Sequence, residues 1–185
     1  TDCLVPLLER ARSRAAFAQR PGIRRSLRVL ESEFDLEHEQ TFRDPGGTLI
    51  RYTVQADSAN RILPTDSDGN GVPDRVDAVL AGLAEARALL VDQLSLEAPE
   101  PLEVVLTDLG PADGFVYFPE EGAPGVRIVL NASVRDGMSG MRRAALHQYA
   151  HAAALSSSPG LTGVWSEALA GWTELAVGRP PHDRL

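Results

Sequence analysis

The order of elements along this 185-residue chain predicts an α+β domain: a helical start, a run of short strands, then helices. Two further observations support that class. Residues 48–55 (TLIRYTVQ) alternate polar and apolar side chains, as a half-buried strand does. Residues 140–155 (GMRRAALHQYAHAAAL) are almost wholly apolar after Arg143, as a helix buried on most sides is.

The chain opens on CLVPLLERARSRAAFAQ, residues 3–19, a predicted helix with Leu4, Leu7, Leu8 and Ala11 on one side, ended by Pro21-Gly22. Residues 27–33 read as a strand, and the 48–55 strand follows the turn Asp44-Pro45-Gly46-Gly47. Val76, Leu80, Leu83, Leu90 and Leu94 recur at helical spacing and predict a helix over about 74–95, closed by Pro99 and Pro101. Residues 102–108, 114–118 and 126–131 read as strands, with 126–131 as the sheet edge. A last helix covers 165–177 after a Pro159-Gly160 turn. This divides the chain into an N-terminal helical arm, 1–46, and a main domain, 47–185.

Composition narrows the partners. The net charge of −8 disfavours nucleic acid. No apolar run reaches membrane-spanning length. All 18 basic residues are arginine, seven of them within the first 28 positions, as on the solvated face of a helix or a surface for an anionic partner. The single cysteine, Cys3, allows neither an internal disulfide nor a thiolate metal site.

Two motifs carry chemistry. His147 and His151 stand four apart on the apolar helix, so both imidazoles leave one face and can reach one Zn²⁺. Two core histidines bonded to backbone or carboxylate would give the same spacing, and the pair alone does not decide. Glu167, sixteen positions later, offers a third ligand if its helix returns antiparallel, and Ala168, Ala170 and Gly171 allow a close approach. Glu174, two turns on, falls on the same face and can accept an imidazole N–H. The second motif is DSDGNGVPDRVD, Asp66 to Asp77. Asp66, Asp68, Asn70, the Val72 carbonyl, Asp74 and Asp77 occupy the oxygen positions of a twelve-residue Ca²⁺ loop, with Gly71 at the sharp turn. Asp77 in place of the closing glutamate, the internal Pro73 and the missing preceding helix suit a fixed structural loop rather than a switch.

The pattern H-x-x-x-H, a short loop and W-S-E-A-L-A-G-W resembles the gluzincin zinc metallopeptidases, which carry HExxH with a downstream glutamate. With the acidic loop ahead of it, residues 48–177 resemble secreted bacterial metalloproteases of the myxobacterial type. The resemblance implies a zincin-like fold, a small mixed sheet packed on a buried zinc-site helix and neighbouring helices. It implies His147, His151 and Glu167 as zinc ligands, a structural Ca²⁺, a peptide or protein substrate, a secreted bacterial location and a monomer. In that family the residue after the first histidine is the glutamate that takes the proton of the zinc-bound water; here it is Gln148. A carboxamide cannot take that proton, so the expected activity is low. A deliberate near-isosteric exchange and a natural pseudo-peptidase both fit. The rival reading is a calcium-stabilised binding module without catalysis. Tyr117 and Tyr149 are candidate hydrogen-bond donors to a reacting carbonyl, although packing explains either tyrosine as well.

Overall fold

The computed structural model describes Leu36 and residues 38–117, 125–158, 161 and 163–178. The helix expected over 3–19 and the strand over 27–33 lie outside these residues. The described part is α+β, with one five-stranded sheet and helices packed on it.

Two apolar runs make the centre of the sheet. Strands β3 (Leu102–Thr107) and β5 (Val126–Asn131) pair in parallel with Val104 opposite Ile128, and each buries five of its six residues. Such continuous burial marks strands covered on both faces. The alternating segment forms β2 (Leu49–Tyr52), parallel to β3, with Ile50 and Tyr52 buried. Strand β1 (Gln40–Arg43) and strand β4 (Gly114–Tyr117) pair antiparallel to β2 and β5, giving the order β1-β2-β3-β5-β4. Residues 126–131 are therefore an inner strand and not the edge. The edge on that side is Gly114–Tyr117, because this short segment returns antiparallel on β5 with Gly114 opposite Leu130. A boundary between residues 46 and 47 would cut the β1–β2 hairpin, and Leu36 is already part of the core.

Helix α1 (Asp74–Arg87) begins after Pro73 and continues as a π-helical stretch, Ala88–Gln93, so the α-helix is shorter than the apolar spacing suggests. Helix α2 (Gly137–Ser157) packs along α1 and against β4 and β5. The two helices meet closely at Gly82, where an added Cβ would stand 2.2 Å from the Arg142 carbonyl oxygen. Helix α3 (Gly163–Val177) returns against α2. No helix among the described residues is long and apolar enough to cross a membrane.

Candidate metal centre

Helix α2 carries few polar side chains inward, and three of them are His147, Gln148 and His151, all buried. Its other inward positions are mostly alanine: Ala144, Ala145, Ala150, Ala152, Ala153 and Ala154 are buried. Small side chains let α3 come near enough to place polar groups on the histidines. Ser166, Glu167 and Glu174 do so.

Each imidazole is held by its Nδ1. His147 Nδ1 lies 2.5 Å from Glu174 Oε1, and His151 Nδ1 lies 2.6 Å from Ser166 Oγ. A carboxylate accepts, so His147 carries its proton on Nδ1; with Ser166 Oγ accepting, His151 does the same. Both Nε2 lone pairs then face inward. They are 3.1 Å apart, and each is 3.5 Å from a different oxygen of Glu167. Two lone pairs at that separation repel unless a proton or a metal cation lies between them. The three distances also match the donor spacing of a tetrahedral ion: bonds of about 2.0–2.1 Å imply donors about 3.3 Å apart. Glu167 Oε1 is buried and has no hydrogen-bond partner, as expected of an oxygen aimed at an ion.

These residues can hold a metal ion. Among the described residues, theirs is the group of three whose ligand atoms all lie within 4.8 Å of one another. Burial and the neighbouring His147 push the pKa of His151 down to about 3, so its ring is neutral and ready as a ligand at ordinary pH. Glu167 is about one-third exposed, so the centre opens toward solvent on that side.

Gln148 lies beneath the edge strand. A Cβ built on Gly114 would stand 3.1 Å from Gln148 Cγ and 2.8 Å from the Val129 carbonyl oxygen, so only glycine lets β4 start directly above it. Neither Ser166 nor Gly114 is among the site residues expected from the sequence. Ser166 was accessible, since it precedes the glutamate on a helix that must face α2. Gly114 was not, because its role depends on strand order.

Tyr149 does not join the centre. It lies two residues, about 200° of helical rotation, from His147. Its ring lines a separate cleft with Leu83, Arg87, Pro99 and Leu102. Burial there raises its pKa. Tyr117 ends β4, opposite Arg127.

The acidic loop is ordered by its own amides. Asp66 accepts from the backbone N–H of Gly69, Asn70 and Gly71 at 2.8–3.1 Å. The Asn70 amide donates to Asp68 and Asp77, both at 3.1 Å, which gathers four of the expected calcium side chains. The Asn70 side-chain oxygen accepts from the Val72 N–H at 2.7 Å. Asp74 is engaged elsewhere: its two oxygens take the N–H and hydroxyl of Ser67 at 2.8 and 2.7 Å. Those bonds hold its carboxyl below the usual range.

No protein-family model matches this chain, and no curated protein or solved structure does.

Proposed function

We propose that this domain is a zinc centre of the gluzincin metallopeptidase type, with Gln148 at the position of the general base. The observation that carries this is the triangle of His147 Nε2, His151 Nε2 and Glu167, with Glu174 and Ser166 accepting from the two imidazoles behind it. Three protein ligands leave a fourth position open, as catalytic zinc sites do. Zn²⁺ bound there would supply Lewis acidity toward a peptide carbonyl.

The chain's own residues support the rest of the reading. The outer edge of β4 offers backbone groups along which an extended peptide can pair. Gln148, beneath the start of that strand, can hydrogen-bond a water or a carbonyl but cannot accept a proton. General-base assistance is worth about 10²–10⁴-fold, so the chain would bind metal and peptide and turn over slowly. The same reading gives the loop around Asp66, Asp68, Asn70 and Asp77 a structural Ca²⁺, as in secreted bacterial enzymes.

Metal analysis and Gln148→Glu test this together. The expected result is one tightly held zinc, lost in His147→Ala, and casein hydrolysis that rises at least 100-fold in Gln148→Glu. Zinc binding without any gain in hydrolysis would leave a metal-anchored binding module. Failure to bind zinc would end the proposal.

A further inference from the structure

Helix α3 is inverted. Its polar residues Ser166, Glu167, Thr173 and Glu174 face inward, and its solvent face is apolar. Val164 is 78% exposed, Trp165 68%, Leu175 64% and Trp172 37%, and Ala168 is exposed between them. Neither of the helix's two charges, Glu167 and Glu174, lies on that stripe, because both are turned to the histidines. An amphipathic helix normally presents the opposite arrangement to water.

The stripe has the form of a self-complementary seam. Val164, Ala168, Gly171 and Leu175 are spaced four, three and four, the spacing of a helix-pairing seam, with Trp165 and Trp172 alongside. Large residues lie at both ends and small ones in the middle. Turned antiparallel about a point near residue 169, the stripe sets Val164 against the partner subunit's Leu175. It brings the small residues together where the axes come closest. With aromatic side chains burying roughly 150–250 Å² when fully covered, the exposed fractions amount to roughly 500 Å² per copy. A two-fold pair therefore covers roughly 1,000 Å², the lower bound of a specific interface.

We infer that the outer face of α3 is a two-fold interface with a second copy of this chain. The pairing braces from outside the helix that carries Ser166, Glu167 and Glu174, in place of the monomer expected above.

The test uses the chain's only two tryptophans, both on this face. Sedimentation should show a monomer–dimer equilibrium, and tryptophan emission should shift to the red on dilution through it. Val164→Glu with Leu175→Glu should give a folded monomer with red-shifted emission at every concentration. In a Cys3→Ser background, Ala168→Cys should form an interchain disulfide under mild oxidation, and Ala59→Cys, exposed in the loop after β2 and outside the α3 stripe, should not. A monomer at all concentrations overturns the inference, including one with shielded tryptophans, whose cover would come from its own chain. A dimer that survives the double glutamate variant, or that links equally through Ala59→Cys, overturns it as well.

Discussion

Ser166 holds His151 from behind: its Oγ is 2.6 Å from Nδ1, while Glu167, the next residue, faces the Nε2 of the same ring. One turn of α3 thus supplies both a ligand for the proposed ion and the group that fixes another ligand's tautomer. Glu174 does the same for His147 with a full negative charge. Removing such an orienting partner typically costs 10–100-fold in metal affinity. Ser166→Ala and Glu174→Ala should each weaken zinc binding by about that factor in a chelator-competition titration. Glu174→Gln, which keeps an acceptor and loses the charge, should fall between wild type and Glu174→Ala. Unchanged affinity in both alanine variants would show that the ion lies elsewhere.

The depressed pKa of His151 gives the metal-free protein a defined acid response. The ring titrates near 3 in the folded chain and near 6.5 in the unfolded one. Between those values the unfolded state binds the extra proton. The stabilisation is complete above about pH 6.5 and is lost as pH falls toward 3, at most about 1.4 kcal/mol per pH unit for one proton. Melting curves with chelator at pH 7 and pH 5, above most carboxylate titration, should show the loss. His151→Asn should flatten that difference, and an equal slope in the variant would assign the response to other groups.

Much of this fold is legible in the sequence because burial writes itself into composition. The runs at 102–107 and 126–131 are apolar because both faces of β3 and β5 are covered. Strand β1 leaves little trace, since Gln40, Thr41 and Arg43 are exposed at the sheet edge and Phe42 alone is half-buried. Strand order leaves none: residues 126–131 look as much like an edge as a centre until β4 pairs with them. The centre divides the same way. His147, His151 and Glu167 follow from helical spacing, whereas the closeness of Gly114 to Gln148 is a tertiary fact. Helical spacing also argues against Tyr149 as a partner of the pair.

Gly82 tests the packing that sets α2 in place. Alanine in a helix interior is normally favoured over glycine by about 1 kcal/mol. Here its Cβ would stand 2.2 Å from the Arg142 carbonyl oxygen and 3.1 Å from Ala145 Cβ. Backbone cannot retreat as a flexible side chain can, so α1 and α2 must separate. Gly82→Ala should therefore destabilise by about 1–3 kcal/mol in a urea titration, reversing the propensity gain. It should also loosen zinc binding, because α2 carries both histidines. A stabilised variant would mean that the helices are free to shift.

Tyr149→Phe separates the cleft from the centre. The Tyr149 hydroxyl is buried and makes no hydrogen bond of normal geometry; Arg87, nearby, is paired with Glu100 at 2.6 Å. Deleting an unsatisfied buried hydroxyl removes a desolvation cost of about 1–3 kcal/mol, so Tyr149→Phe should match or exceed the wild-type melting temperature. In a Gln148→Glu background its casein hydrolysis should be unchanged. A large loss there would give the hydroxyl the catalytic part that its position on α2 denies it.

The acidic loop calls for a substitution that keeps its internal bonds. Asp66→Ala would remove three amide contacts whether or not an ion binds. Asp68 accepts from Asn70 through both oxygens and cannot be exchanged without loss, but Asp77→Asn retains a carbonyl oxygen for the Asn70 amide and removes one negative charge. With chelator the Asp77→Asn variant should melt with the wild type, or slightly above it as repulsion is relieved. With calcium the wild type should gain thermal stability through binding linkage and the variant should not. If calcium leaves the wild-type melting temperature unmoved, the loop is an amide-ordered turn that leads into α1, and the proposed calcium site is withdrawn.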